Sequence, residues 1–446
     1  MLKFFAVSCL AFVFVGTAAA EVHALTLRQA LDIASRQNPD VLLARLDQQH
    51  AEAGIRIAND PFRPKVYAGS GLAYTYGYPN SIDGSAPSVF QMRTDMQLYN
   101  RPDRYQAAAA SQSARAADYG AQAKEDDVAY RTADLFLTAS QIEREEQAIK
   151  DQLPSLRKVV EITHAGVEEG SRLPVDLKQA QVNLEVASQQ LGADRLDNDY
   201  YEMMLAMALG YPATDRVKPL DSDVTDVTAP ASAKVAIADA LKNNKKVRQL
   251  QSSILTKELV LRSYKAERWP QVSLVAQYSL FAPFANYTQY FKNFQYNNAQ
   301  IGAAITIPVL LGSARGGHEE QTSIEMAKLR VQLDQLRNQI IANTKRSYQQ
   351  WEKAKTLRDL TREQLELARQ ELTVKLAQNG EGKLPMSDVE QARVDEENRW
   401  VGLYAADAQV TRAKFAILRQ MGALYSSVRA ADHAAPAARQ RSTQSE

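Results

Sequence analysis

Two rhythms run along the chain. In the first, Phe90, Met92, Thr94, Met96 and Leu98 alternate with Gln91, Arg93, Asp95 and Gln97, which gives one apolar face and one charged or amide face. That period of two is the signature of a strand. Val272, Leu274, Ala276, Tyr278 and Leu280 repeat it against Ser273, Val275, Gln277 and Ser279, and Ile301, Ala303, Ile305 and Ile307 repeat it against Gly302, Ala304 and Thr306. A fourth stretch, Val66 to Tyr78, is richer in Gly and Tyr but keeps Val66, Ala68, Leu72, Tyr74 and Tyr76 on one side. Each is about 9 to 12 residues, long enough to cross a bilayer when tilted, and tyrosines at the ends fit an interfacial girdle. A half-buried sheet in a soluble domain is the plainer reading of the same alternation.

The second rhythm is helical and narrow. Val128, Leu135, Ile142, Ile149, Leu156 and Thr163 recur every seven residues, with Thr132, Ala139, Glu146, Leu153, Val160 and Val167 offset by four. This is the seam of a coiled coil rather than the broad face of a globular helix. Leu329, Leu333, Leu336 and Ile340, then Leu360, Leu367 and Val374, continue the pattern in the second half. A helix from about 103 to 168 would be on the order of 100 Å long. Pro154 lies inside it and is expected to kink it, while Ala107 to Ala110, Ala114, Ala116 and Ala117 permit close helix contacts near its start.

The punctuation between these stretches is duplicated. Pro64 and Pro270 lie 206 residues apart, Pro174 and Pro385 211 apart, and Gly210 and Gly422 212 apart. Each half reads as helix, strand hairpin, very long helix, turn and long returning helix. The predicted organisation is a first repeat over 21–210, a connector over 211–232 rich in Pro, Asp and Thr, a second repeat over 233–424, and a disordered tail over 425–446.

Four strands cannot close a barrel, and an open edge in lipid would leave backbone groups unsatisfied at several kcal/mol each. One chain is therefore insufficient for a membrane barrel. Two copies would reach the smallest known size, and three would leave room for a lumen.

Composition narrows the classes. With 53 Lys+Arg against 52 Asp+Glu and no basic block, the chain offers no phosphate-tracking surface, so nucleic acid is not expected as a partner. Residues 1–20 have the three-part layout of a secretory signal peptide, Lys3 followed by an apolar run from Phe4 to Val15 and then Ala18 to Ala20. Cleavage is expected after 20, or as late as 24. The lone cysteine, Cys9, falls inside that segment, so the mature chain has no disulfide. The histidines His23, His50, His164, His318 and His433 are scattered without metal-ligand spacing. Phosphate loops, serine elbows and Cys/His pairs are all missing, so neither cofactor, metal site nor enzymatic activity is expected.

These residues resemble the TolC-like outer-membrane factors of efflux pumps and type I secretion systems, over nearly all of the chain from Leu25 to Leu424. The opening Leu25-Thr26-Leu27-Arg28-Gln29-Ala30-Leu31 with Asn38-Pro39 looks like that family's first helix, and Pro64 and Pro270 match its proline before each hairpin. Its helix-turn signature is similar to Gly170 with Asp176, Leu177 and Ala180, and to Gly382 with Asp388, Val389 and Ala392.

The resemblance implies a mostly α fold with transmembrane β. Long antiparallel coiled-coil helices and four strands per chain would form a trimeric twelve-strand β-barrel continued by a twelve-helix α-barrel. It implies a passive outer-membrane conduit of a Gram-negative bacterium with a large periplasmic part, gated at periplasmic helix tips. The partners implied are outer-membrane lipid, a periplasmic adaptor (membrane fusion protein) and an inner-membrane transporter. Carried over, the adaptor-contact tips are Gly170, Arg172, Leu173 and Pro174, and Gly382, Lys383, Leu384 and Pro385. Asp388, with Glu381 nearby, stands at the periplasmic aperture, where repeated carboxylates would select cations. Gln391 departs from a second acidic position in that pattern, and Asp388 could equally cap its helix. A periplasmic coiled-coil adaptor or scaffold without channel activity is the competing class.

Overall fold

A computed structural model of the chain describes residues 21–71, 88–220, 228–281 and 297–428, so the signal segment and the end of the Val66 to Tyr78 stretch lie outside the described residues. The elements run β1 (Val22–Leu25), α1 (Leu27–Gln37), α2 (Pro39–Ala58), β2 (Lys65–Gly71), β3 (Ser88–Tyr99), α3 (Arg101–Glu168) and α4 (Pro174–Leu209). The second half continues with β4 (Arg216–Pro219), α5 (Ala233–Asn243), α6 (Lys245–Ala266), β5 (Gln271–Phe281), β6 (Asn297–Thr306), α7 (Ala314–Gly380) and α8 (Met386–Met421). The two halves contribute jointly to two compact units, one of 1–39, 126–236 and 344–446 and the other of 40–125 and 237–343.

The second unit holds a four-stranded antiparallel sheet in the order β2-β3-β5-β6. Each half supplies one hairpin, and the hairpins join through β3 and β5, where Met92 faces Tyr278 and Met96 faces Leu274. The register puts like with like. Ala68 pairs with Met92, Phe90 with Leu280, Ala276 with Ile301 and Val272 with Ile305, while Arg93 pairs with Gln277 and Gln277 with Gln300. A one-residue slip would exchange the faces, so the alternation itself specifies this register. Beside the sheet, small residues bring helices close: Ser263 on α6 donates to the Pro102 carbonyl at 3.0 Å, and Gln106 on α3 donates to Ser263 at 3.2 Å. Ala107, Ala109, Ala114 and Ala116 of α3 are buried there.

The first unit is built on helices. At its edge, β1 pairs in parallel with β4, Val22 opposite Arg216 and Leu25 opposite Pro219. The stretch expected to be a plain connector thus contributes a strand. Thr26 and Gln29 form a reciprocal cap that starts α1, whose Leu27, Ala30, Leu31 and Ala34 are buried. α3 continues through Pro154 for 68 residues, close to the expected bounds. Its seam is borne out in part: Val128, Thr132, Ala139, Glu146, Leu153, Leu156 and Thr163 are buried, whereas Leu135, Ile142, Ile149, Val160 and Val167 are half-buried and Phe136, Leu137 and Val159, off the two series, are buried beside them. Burial pushes the Glu146 carboxyl up, but hydrogen bonds from Lys150 at 2.6 Å and Arg195 at 3.3 Å outweigh it and hold Glu146 below the usual range. The fold also runs past Leu424. Leu424 and Val428 are buried and Tyr425 donates to Asp32 at 2.8 Å, so residues 425–428 belong to the packed structure rather than to a loose tail.

The α7 seam splits in two. Thr361, Leu365 and Ala368 are buried within the unit, whereas Leu360, Leu367 and Val374 are 54%, 57% and 55% exposed. Seven-residue spacing of exposed aliphatics on a long helix leaves an apolar stripe open to solvent.

Candidate functional site

The two helix reversals are built alike. Where α3 ends, Gly170 takes φ +74°, and the Ser171 and Arg172 amides close on the Gly166 carbonyl at 2.8 and 3.0 Å. Where α7 ends, Gly382 takes φ +70°, the Lys383 amide closes on Gln378 at 2.9 Å, and the Asn379 side chain donates to the Leu384 carbonyl at 2.7 Å. Left-handed backbone of this kind favours glycine, and here nothing else about the site demands it, since a Cβ at either position would meet open space.

The helices that leave the tips start differently. Pro174 is the first residue of α4 and Leu173 precedes it, so the Leu173 amide is available, and Asp176 accepts it at 3.1 Å. In α8 the residue preceding the helix is Pro385 itself, which has no amide hydrogen. Asp388, the counterpart of Asp176 six residues after the tip glycine, has no such donor to cap. Its Oδ1 instead accepts from the Ser387 hydroxyl at 3.1 Å and from the Arg172 guanidinium at 3.5 Å, and the same Arg172 donates to Ser387 at 2.8 Å.

The tips predicted separately are therefore connected. Arg172, expected as an adaptor contact, reaches from the first tip to Asp388, expected at the aperture, with side chains 35% and 41% exposed. Glu381 is not part of this link and pairs with Lys383 at 2.6 Å. Leu173 and its neighbour Val175 stand in solvent, more than three-fifths exposed. Pro174, Pro385 and Leu384 shape the turns.

Residues not singled out in the sequence extend the link up the helices. Glu390 is almost wholly buried and is met by Lys158 of α3 at 3.2 Å. Gln152 of α3 donates to the Val394 carbonyl at 3.3 Å and to the Asn398 side chain at 3.2 Å. No sequence signal pairs residues more than 200 apart, although a glutamate within a run of apolar burial positions, Val389, Ala392 and Val394, marks Glu390 in retrospect.

Among the described residues no helix is long and apolar enough to cross a membrane, and no group of three or more His, Cys, Asp or Glu side chains could hold a metal ion. The apolar face of the sheet remains. Ile301 and Ile305 of β6 are 78% and 67% exposed, and among the described residues β2 and β6 each have one edge without a strand partner.

Comparison with known proteins agrees with this architecture. Residues 30–211 match the family described as Outer membrane efflux protein. No curated protein matches the sequence. Among solved structures, the outer membrane protein VceC from Vibrio cholerae superposes with a TM-score of 0.71 at 14% identity, covering 89% of this chain and 96% of that one. The CmeC outer membrane channel of Campylobacter jejuni gives 0.69 at 15%, covering 89% and 86%. CusC, known from structures of its folding and transmembrane channel formation, gives 0.71 at 14%, covering 89% and 92%. The resemblance to TolC-like outer-membrane factors holds, and the fold is the one these channels share.

Proposed function

We propose that the protein is an outer-membrane channel of a tripartite efflux or type I secretion system, a passive conduit from periplasm to exterior that works as a homotrimer. The observation that carries this reading is the register of the sheet. It aligns an apolar face across all four strands, sets amide and charged residues on the other, and leaves both edges unpaired among the described residues. Such a sheet suits lipid on one side and a wet lumen on the other, and only closure with further copies would satisfy its edges. The exposed Leu360, Leu367 and Val374 seam asks for the same copies.

The tips around Gly170 and Gly382 are assigned to the periplasmic end. There Leu173 and Val175 would meet a periplasmic adaptor that couples the channel to an inner-membrane transporter, and Asp388 would stand at the aperture. Because Asp388 shares its charge with Arg172, its pull on cations is weaker than that of an unpaired carboxylate ring. A periplasmic adaptor or scaffold has no use for exposed isoleucines along an open sheet edge. The test is planar-bilayer conductance of the detergent-purified mature protein, with its mass measured in the same preparation. Steady channels from a trimer support the proposal. A monomer that never inserts overturns it in favour of the periplasmic coiled-coil class.

A further inference from the structure

We propose that the cleft between α3 and α8 is a binding site for an aromatic monocation, held by the Glu397 carboxylate and seated on the rings of Trp400 and Tyr404. The cleft encloses about 490 Å³, within the range of pockets that take drug-sized molecules. Trp400 and Tyr404, one helical turn apart, stack with centroids 5.5 Å apart and 26° between planes, offering a flat apolar wall. Asp151 of α3 and Glu397, one helical turn before Trp400 on α8, also line the cleft with Arg144, so with both carboxylates ionised the lining carries one net negative charge.

The two carboxylates are not equivalent. Asp151 accepts a hydrogen bond from Gln147 at 2.9 Å, whereas the Oε2 of Glu397 is buried and meets no donor. A half-buried carboxylate with one orphaned oxygen beside stacked rings lacks what an amine on a flat apolar body would supply: a counter-charge and a donor. The guanidinium groups nearby are committed to other contacts. Arg144 lies 5.6 Å from the Tyr404 ring, and Arg369 lies 4.6 Å from the Trp400 ring while pairing with Glu396 at 3.3 Å.

The electrostatics agree. Burial pushes the Glu397 carboxyl up to about 7; Arg393 opposes the rise, and Asp151, Glu396 and Glu390 add to it. A bound cation favours the ionised form, so binding is strongest above that value and fades as pH falls through it. The inference needs only the α3 and α8 pair and stands apart from whether the protein conducts.

Ethidium, an aromatic monocation, is the probe, titrated by fluorescence anisotropy against the full mature chain in an uncharged detergent. Saturable binding is expected at pH 8, weakened at least tenfold by Glu397→Gln and to a smaller degree by Asp151→Asn, and weakened in the unmodified protein at pH 5.5. Neutral phenanthridine should compete poorly at pH 8. Both variants keep the side-chain volume, and an unchanged melting temperature and elution volume confirm that they fold. Binding by Glu397→Gln within twofold of the unmodified protein, affinity indifferent to pH, or no saturable binding at all would each overturn the site.

Discussion

The two helix tips descend from one pattern yet have diverged in what they do with the same carboxylate. Both turn on a glycine in left-handed backbone, and both place an aspartate six residues later. In the first tip that aspartate caps its own helix; in the second it accepts a side chain from the other tip. The cause is the position of a proline. With Pro174 four residues after Gly170, the preceding Leu173 still offers an amide; with Pro385 three residues after Gly382, that donor is gone. A shift of one residue turns a local capping group into a long-range tie, and the tie makes the tips one unit.

The largest effect that separates the tips is on opening. On the channel reading, Asp388→Ala or Arg172→Ala should raise single-channel conductance or open probability. A half-exposed ion pair is worth ~0.5–1 kcal/mol, so the rise should be about two- to fivefold. Lys383→Ala and Asp176→Ala, which leave the tie intact, should change conductance little. The double variant Arg172→Ala with Asp388→Ala should match either single variant. Additive effects, or none, would remove Asp388 from the gate.

The glycines should behave alike where the aspartates do not. Gly170→Ala and Gly382→Ala each force an L side chain into left-handed backbone with no clash to add, at about 1–2 kcal/mol. Amide hydrogen exchange in the first turns of α4 and α8 would report both as comparable losses of protection. A large asymmetry between them would mean that one tip bears strain that its backbone does not show.

These contrasts also mark what the sequence made legible. Period-two alternation foretold β3, β5, β6 and the described part of β2, with their two faces, because a sheet with unlike sides must keep its register. The seven-residue series foretold α3 almost to its ends but only part of what it buries, since Leu135, Ile142 and Ile149 stay half-buried while Phe136 and Val159, off the series, are buried. The pairing of Arg172 with Asp388, of Lys158 with Glu390, and of β1 with β4 was not legible, since each joins short-range signals that carry no record of a partner some 200 residues away. The Leu360, Leu367 and Val374 series was read as a seam, yet all three face solvent within the chain, because whether such a stripe is filled by its own chain or by another is not written in its period.

A smaller effect tests the cap. Asp176→Ala should cost the start of α4 about 1 kcal/mol, the usual cost of losing a side-chain acceptor at a helix start, read as lost exchange protection there. Asp388→Ala should leave the start of α8 nearly unchanged, because no amide was waiting for it. Equal losses at both helices would show that Asp388 caps after all and that the Arg172 contact is incidental.

The smallest effect goes directly to the proline. Pro385→Ala restores an amide hydrogen at the position that Leu173 occupies in the other tip, so Asp388 gains a local donor to compete with Arg172. The coupling between Arg172 and Asp388, measured by a double-mutant cycle on exchange protection at the tip, should fall by a few tenths of a kcal/mol in the Pro385→Ala background. Coupling is the right quantity, because replacing a proline also alters the unfolded chain, and that contribution cancels around the cycle. If the coupling is unchanged, the missing donor is not what redirected Asp388, and the two tips diverged through Arg172 alone.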